Sequence, residues 1–417
     1  SEQTKMTRLS DFLIMGELSL TGEIRPIKGA LSMAIEAKKQ GIHSLILPRE
    51  NALEAALIEG LQIFGMDNLR DTIRFLHGRP QAAIKRDHIL PTSPPYASDF
   101  SQIKGQKKAK RAIEIAVAGS HNLLLVGPPG AGKTMMAQRI PSIMPPMSLE
   151  EIIETTQIHS IVGKLSTDHP LVTERPFRAL HHSITSTALI GGRTNPQPGE
   201  ISLAHQGVLF LDELPEFQRN VLELLRQPLE ERKVPISRAH GTVEFPANFL
   251  LISAMNPCPC GYFHHPEKPC TCKPYQVDRY LHRISGPLLD RIDMHLEVFP
   301  LGYSDMFKPQ EGESSQVIRE RICMAREIQK VRFKGMAIRT NAEMNSVQVK
   351  EICVLDTTSA SLLRNAIEKL QLSARAHDRI LKMARTIADI SQAKEIQPKH
   401  LAEAINYRNL DRENWSG

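Results

Sequence analysis

The sequence predicts an α/β protein: a parallel sheet between helices, with a helical lid after it and a partial α/β module in front. Three observations predict this. A short apolar run, Leu123–Val126, leads into GPPGAGKT and then into a helix-forming segment. About 75 residues further on, a second apolar run, Val208–Leu211, ends at two carboxylates. After Pro300, apolar residues recur at the helical spacings of three and four.

The sequence GPPGAGKT has the G-x-x-x-x-G-K-[ST] pattern of a phosphate-binding loop, between a strand and a helix as that loop requires. Glycines let backbone N–H groups curl around an anion, and the helix directs its positive N-terminus at the same phosphates. Lys133 is predicted to reach the β- and γ-phosphates of ATP, and Thr134 to place its hydroxyl on Mg²⁺. The predicted nucleotide-binding residues are Gly127, Pro128, Pro129, Gly130, Ala131, Gly132, Lys133 and Thr134.

The carboxylates after the second apolar run complete a predicted hydrolysis site. Asp212 is expected to hold the magnesium ion through its water shell. Glu213 is expected to orient and deprotonate the attacking water. A third buried strand, Phe249–Ala254, is followed by Asn256, whose side chain can position that water.

The length and composition indicate a protein of several domains. At 417 residues the chain exceeds one ordinary core, and its net charge of +6 permits nucleic-acid binding. No apolar run approaches the roughly 18 residues of a membrane span, and the first residues lack the apolar core of a secretory signal. We therefore expect a cytoplasmic protein without a membrane partner.

The module at the front alternates strand and helix signals. Strands are predicted at 13–20 and 44–47, and helices at 32–40 and 69–77. Asn51 is predicted to cap a further helix that runs to residue 60. Because the module begins abruptly with a strand, we expect its first part to be missing from this chain.

Residues 16–57 resemble the C-terminal half of the proteolytic domain of Lon proteases. In that family a serine lies upstream and a lysine follows the Pro-Ile-x-Gly turn. Here the matching position is Leu31, and Lys28 lies within the turn itself. Without a lysine to activate a serine, the resemblance implies a Lon-type fold with no peptidase chemistry.

A proline-containing linker is predicted at 79–98 and is followed by a basic helix. The cations of that helix fit either a nucleic-acid face or an ordinary solvated face. They are Lys104, Lys107, Lys108, Lys110 and Arg111.

Two cysteine pairs, Cys258-Pro-Cys260 and Cys270-Thr-Cys272, bracket a short polar loop. Two thiolate pairs joined in this way can close a tetrahedral Zn²⁺ site, and free thiols are the alternative. We expect a structural zinc ion that braces the loop after Asn256. Cys323 and Cys353 fall in helical patterns and are expected to be core thiols.

The region from about residue 95 to 410 resembles the AAA+ ATPases, in the clade of magnesium chelatases and MCM helicases. The resemblance makes Asn256 the first sensor and, in Pro287-Leu-Leu-Asp-Arg-Ile-Asp, makes Arg291 the arginine finger that reaches a neighbouring subunit's γ-phosphate. Arg283 is a second candidate, and a salt bridge from Arg291 to Asp290 or Asp293 is the alternative.

Helices predicted at 315–333, 359–370, 374–390 and 398–407 resemble the helical lid that follows AAA+ cores. Arg375 in Ser373-Ala-Arg-Ala matches the second-sensor arginine of that lid. Arg379 and Arg385 compete for the same role, and all three could instead be surface arginines.

The stretches RPFRALHHSITSTALIGG, PGEISLAHQGVLFLDELPEF and ISAMNPCPCG closely resemble the ComM (YifB) family. That resemblance implies a hexameric ATP-dependent DNA helicase that acts by branch migration when incoming single-stranded DNA is integrated during natural transformation. Two stretches are candidates for its DNA contacts. A predicted hairpin, residues 231–244, carries Lys233 and Arg238, and an insertion, residues 178–193, carries His181 and His182.

The predicted division is therefore a Lon-like module at 1–78, a linker at 79–98, an ATPase core at 99–305 and a lid at 306–417. The alternative function is a chelatase-type motor that remodels a protein partner without DNA in its channel. An ATP-dependent protease is disfavoured by Leu31.

Overall fold

The computed structural model describes most of the chain outside four longer stretches, residues 1–8, 85–97, 301–311 and 409–417. The described residues are 9–84, 98–166, 168–192, 196–238, 241–265, 267–300, 312–370 and 372–408. Most of the predicted linker, residues 85–97, and the chain end from 409 lie outside them. Within the described ranges, no helix has both the length and the apolar character needed to cross a membrane.

The N-terminal module is a small α/β layer. Its strands are β1 (Leu13–Ile14), β2 (Glu17–Leu18), β3 (Ile24–Arg25), β4 (Ser44–Pro48) and β5 (Gln62–Met66). A parallel sheet has the order β1-β4-β5, and β2 pairs with β3 as a separate antiparallel ribbon. The helices are Ala30–Lys39, Arg49–Ala55 and Leu69–Leu76. The strand predicted at 13–20 is thus divided into two short strands, and β5 was not predicted.

The prediction that Asn51 caps a helix is wrong. The helix begins at Arg49, directly after Pro48, so Asn51 lies inside its first turn. Its side chain accepts a hydrogen bond from the Ile27 N–H at 2.8 Å and donates to the Ile27 carbonyl at 2.9 Å. Asn51 therefore anchors the turn that precedes the first helix of the module.

The ATPase core is built on five parallel strands. Those strands are β6 (Leu123–Val126), β7 (Phe177–Leu180), β10 (Val208–Leu211), β13 (Leu250–Met255) and β14 (Met294–Glu297). Their order is β14-β6-β13-β10-β7. Two hairpins stand apart: β8 (Gly191–Gly192) with β9 (Gln197–Pro198), and β11 (Lys233–Arg238) with β12 (Gly241–Pro246). This order brings the carboxyl ends of β6, β10 and β13 to one edge of the sheet.

Helices cover the sheet of the core. They are Lys107–Gly119, Lys133–Arg139, Leu149–Val162, Ser186–Ile190, Glu200–Leu203, Arg219–Glu223, Arg226–Glu231, Pro274–Leu281 and Gly286–Leu289. The helix at 149–162 also receives the N-terminal module, because Ile152 packs with Ala34 and Leu47 in one apolar cluster. The module therefore rests directly on the ATPase core.

The lid comprises the helices Ser315–Arg332, Ser346–Ile352, Thr357–Leu370, Ala374–Ile390 and Pro398–Asn406. Four match the predicted helices, and the short helix at 346–352 was not predicted. One apolar cluster continues from the core into the lid, joining Ile113 and Ile140 to Ile322 and Ile380. The lid therefore shares a core with the ATPase sheet.

Part of the basic helix at 107–119 contributes to the contact between the ATPase core and the lid. Arg111 donates hydrogen bonds to Glu403 of the lid at 2.9 Å and to Glu114 at 3.1 Å. Lys107 and Lys108 remain exposed. The contacts of Arg111 favour a structural role for it over a nucleic-acid contact.

Candidate functional site

The phosphate-binding loop connects β6 to the helix at 133–139 with a sharply curved backbone. Gly130 and Gly132 have φ angles of 80° and 83°, a region that favours glycine. At Gly127 an added Cβ would lie 2.1 Å from the carbonyl oxygen of Val298, so the residue directly after β14 packs against the loop. Such a loop directs successive N–H groups to one side, where an anion can bind.

Lys133 is held inside this loop. Its Nζ donates to the carbonyls of Gly127 at 2.6 Å and Pro128 at 3.0 Å. Burial lowers the pKa of Lys133, and the nearby carboxylates of Asp212 and Glu213 oppose that shift. Lys133 thus lies where its charge faces the two predicted catalytic carboxylates.

The residues predicted to hold magnesium meet at the carboxyl end of β10. Thr134 Oγ1 donates to Asp212 Oδ2 at 2.6 Å, although the two lie far apart in sequence. Hydroxyl and carboxylate oxygens are ligands that Mg²⁺ accepts, directly or through its waters. This pair therefore fits the ion predicted from the sequence.

Glu213 follows Asp212 in a left-handed conformation, with φ of 53°, and its side chain is 57 % exposed. On the next strand, Asn256 Oδ1 accepts a hydrogen bond from Lys133 Nζ at 3.3 Å. The lysine, the carboxylates and the amide thus lie together at one edge of the sheet.

The structure places His182 at this same edge. It follows β7, and its Nδ1 lies 3.5 Å from Glu213 Oε2, while the His181 ring packs 4.0 Å from the His182 ring. The sequence analysis assigned both histidines to DNA contact and missed this neighbour of Glu213. The sequence position of His182 could have indicated this, because a polar residue that follows a parallel strand beside β10 lies at the same carboxyl edge of the sheet as Glu213. The position of His182 favours a role at the nucleotide site.

Arg291 is paired within its own chain. Its Nη2 lies 2.6 Å from Glu230 Oε1, and its Nη1 donates to the Pro287 carbonyl at 2.6 Å. Only 10 % of its side chain is exposed. The partner is thus Glu230, rather than the aspartates considered from the sequence. The other finger candidate, Arg283, pairs with Glu216 at 2.7 Å.

The three arginines proposed for the second sensor have different surroundings. Arg385 is 4 % exposed and bonds Asp389 and two backbone carbonyls, which identifies it as a structural residue. Arg379 is paired with Asp293 at 3.3 Å. Arg375 is 65 % exposed and lies 3.9 Å from Asp290. Arg375 is therefore the most exposed of the three, and its nearest acidic partner precedes Arg291 in the sequence.

The four clustered cysteines converge as a metal site requires. Their sulfurs all lie within 4.8 Å of one another, and Cys258 Sγ is 3.3 Å from that of Cys260 and 3.7 Å from that of Cys270. A tetrahedral ZnS₄ centre has sulfurs about 3.8 Å apart, from Zn–S bonds of about 2.3 Å. Backbone N–H groups also point at the sulfurs, such as that of Phe263 at Cys258, 3.3 Å away. The donor set therefore fits Zn²⁺.

The cysteine loop also touches the phosphate-binding loop. Gly261 has a φ of 85°, and a Cβ there would lie 2.6 Å from Cδ of Pro129. The loop begins two residues after Asn256 and so braces two parts of the nucleotide site at once.

The predicted hairpin is present as β11 and β12. Lys233 lies at its base, where its Nζ donates to Glu244 at 2.8 Å across the strands. Arg238 pairs with Gly241 at the tip, and its side chain lies outside the described residues, as do Ala239 and His240. The second stretch, residues 178–193, contains most of β7, the helix at 186–190 and β8, so its first part is a strand of the core sheet and not an insertion. Arg193, at its end, lies outside the described residues.

Comparisons with known proteins agree with this architecture. The family "Magnesium chelatase, subunit ChlI" matches residues 99–306, its C-terminal family matches 312–408, and "Subunit ChlI of Mg-chelatase" matches 1–51. Lon protease 2 of Bacillus subtilis is 28 % identical over 189 residues, 38 % of this chain and 33 % of that protein. The chain thus has an AAA+ core of the magnesium-chelatase type and a partial likeness to Lon.

Two relatives match nearly the whole chain. The "Uncharacterized protein YifB" of Salmonella typhimurium is 43 % identical over 416 residues, 99 % of this chain and 80 % of the relative. The "Competence protein ComM" of Haemophilus influenzae is 42 % identical over 417 residues, with the same coverage. A magnesium-chelatase AAA+ family implies ATP and Mg²⁺ as cofactors and ATP hydrolysis as the activity. The chain belongs to the ComM/YifB family of AAA+ ATPases.

Proposed function

We propose that this chain is a hexameric ATP-dependent DNA helicase. It would work in the cytoplasm on single-stranded and branched DNA, promoting branch migration when incoming single strands are integrated by homologous recombination in natural transformation. One observation carries the proposal. The β11–β12 hairpin ends at Pro246, and after three residues the chain enters β13, whose end holds Asn256 beside Lys133. A basic hairpin is thereby joined directly to the nucleotide site. The name of the Haemophilus relative supports the competence role.

The chemical roles follow from the positions of the side chains. Lys133 would bind the β- and γ-phosphates, and Thr134 with Asp212 would hold Mg²⁺. Glu213 would accept a proton from the attacking water, since it has an exposed carboxylate at the same edge. Asn256 would position that water.

A ring of subunits would give Arg291 and Arg375 a role in ATP hydrolysis. Arg375 lies 3.9 Å from Asp290, the residue that precedes Arg291, and both arginines are far in sequence from the phosphate-binding loop. We assign both to the ATP bound by the next subunit, where a finger stabilises the charge of the transition state. In that contact Arg291 would exchange Glu230 for phosphate oxygens. Six copies closing around DNA would make every site depend on a neighbour.

The cysteine cluster is expected to hold about one zinc ion per chain, because four sulfurs can close a tetrahedral site. Elemental analysis of purified protein in reducing buffer measures this. The variant Cys258→Ser with Cys260→Ser should lose the metal and assemble poorly, whereas the control Cys323→Ser should keep it. Metal-free protein that assembles normally would contradict the assignment.

The hairpin tip is expected to be the main DNA contact. Arg238→Glu should reduce DNA-stimulated ATP hydrolysis and strand separation more than Lys233→Glu, because Lys233 is partly neutralised by Glu244. Basal hydrolysis should stay unchanged in both. DNA binding by the parent protein should also weaken steeply with salt, as counterion release requires.

These effects are measured as the rates of forked-DNA unwinding and of ATP hydrolysis, for the two single variants and for the double variant. Normal unwinding by the double variant would show that the hairpin does not grip DNA, and the β8–β9 hairpin would be examined next.

The match to magnesium-chelatase ChlI over residues 99–306 favours a second candidate, a motor that remodels a protein partner. Such a motor needs no DNA. Absence of any effect of DNA on the rate of ATP hydrolysis would favour it over the helicase.

A further inference from the structure

The two ends of the β11–β12 hairpin are tied together by Arg232, the residue that precedes it. Arg232 has a left-handed φ of 57°, and its carbonyl accepts a hydrogen bond from Ala247 N–H at 2.8 Å. Its guanidinium donates to the side chain of Asn248, which follows the hairpin. A rigid base of this kind makes the hairpin move as one piece with the groups that hold Arg232.

One of those groups belongs to the lid. Arg232 Nη1 lies 3.6 Å from Glu343 Oε1, and the two side chains are 28 % and 9 % exposed. Glu343 is fixed in turn by Thr340 Oγ1 at 3.0 Å and by the backbone N–H of Arg339 at 3.0 Å. An ion pair that is largely shielded from water is screened less by salt than a surface pair. The hairpin base is thus ionically linked to an ordered turn of the lid.

The same turn is bonded to the helix at 374–390. Asn341 donates to Asp389 at 2.8 Å and to Thr386 at 3.0 Å. The helix carries Arg375 in its first turn and holds Asp293, two residues after Arg291, through Arg379 at 3.3 Å. Polar contacts together with the backbone of this helix therefore connect the hairpin base to Arg375 and to the segment that carries Arg291.

We propose that Arg232 and Glu343 are positioning residues that couple the hairpin to the lid. Through this pair, the position of the hairpin in one subunit would depend on whether the next subunit has nucleotide bound. The binding of that nucleotide would depend in turn on the position of the hairpin. This inference rests on the proposed function, because it assumes that the hairpin binds a substrate and that Arg291 and Arg375 contact the ATP of a neighbouring subunit. It is separate from the direct link through β13, which leads to the subunit's own nucleotide.

A second polar contact reaches the hairpin base from the core. Asn248 N–H donates to His205 Nδ1 at 3.0 Å, and His205 Nε2 lies 3.3 Å from Glu154. These residues belong to the core, so they hold the base without involving the lid. The lid connection can therefore be cut at Glu343 while this support remains.

The test follows the hairpin in the absence of DNA. Val243 is 42 % exposed on β12, and the chain has one tryptophan, Trp415. In a full-length parent with Val243→Trp and Trp415→Phe, adding Mg²⁺ and a slowly hydrolysed ATP analogue should shift the tryptophan emission. Arg232→Gln, Glu343→Gln and their combination should each reduce the shift about threefold or more, from the size of typical coupling energies.

The controls separate coupling from general damage. The combination should be no worse than either single change, because both remove one interaction. Arg232→Lys should keep much of the shift, and affinity for the analogue should stay unchanged in all variants. Glu150→Gln is a matched control, because it breaks another lid–core ion pair, Arg339–Glu150 at 3.5 Å, that does not involve the hairpin.

The outcomes distinguish this inference from the proposed function. No shift in the parent, a full shift in both single variants, or additive losses in the combination would overturn the inference. A shift that needs Arg232 and Glu343, in a protein whose ATP hydrolysis ignores DNA, would support the coupling and overturn the helicase proposal.

Discussion

Replacing Glu213 by glutamine is expected to lower ATP turnover by roughly 10²–10⁴-fold, the usual contribution of a general base. Glutamine keeps the size and polarity of the side chain but cannot accept the proton of the attacking water. The phosphate-binding loop and the Thr134–Asp212 pair are untouched, so ATP should stay bound. Steady-state phosphate release and the binding of a fluorescent ATP analogue measure the two effects separately.

Lys133→Ala is the control for this result. It removes the charge held between Gly127 and Pro128, so it should weaken ATP binding itself. Normal turnover by the Glu213→Gln protein would show that another group is the base. His182, 3.5 Å from Glu213, would then be tested first.

Arg291→Ala is expected to lower turnover by about 10³–10⁵-fold, the range measured for arginine fingers. Binding of ATP should change little, because Arg291 is assigned to the neighbouring subunit's nucleotide. Within a single chain its guanidinium is paired with Glu230. Turnover and nucleotide affinity of the assembled protein measure both effects.

Mixing variants tests whether Arg291 acts between subunits. Arg291→Ala and Glu213→Gln proteins are each expected to be inactive, but a mixed ring would contain some interfaces with both residues intact. Such rings should recover part of the hydrolysis. Arg283→Ala is the matched control and should remain active. Normal turnover by Arg291→Ala, with loss in Arg283→Ala, would move the finger to Arg283.

The nucleotide site could be predicted from the sequence because its signals are local. The spacing of Gly132, Lys133 and Thr134 and the carboxylates at the end of an apolar run follow from the needs of phosphate and magnesium. Parallel strands then bring Asp212 and Asn256 to the edge that holds the loop. The confirmed fold class rests on the same signals.

What the sequence could not predict depends on contacts between distant segments. The partner of Arg291 is Glu230, and the lid partner of Arg232 is Glu343, pairs that no periodicity indicates. The failed prediction at Asn51 has a similar cause. Asparagine favours helix caps locally, but the bonds to Ile27 hold it within the first turn instead.

The central claim is that ATP hydrolysis by this chain is coupled to DNA, and the rate of hydrolysis with and without single-stranded DNA tests it most directly. We predict that single-stranded DNA raises the rate in the parent protein, that this stimulation falls with increasing salt, and that it is reduced in Arg238→Glu while basal hydrolysis persists. An unchanged rate at saturating ATP, over a range of DNA concentrations at low salt, would contradict the account.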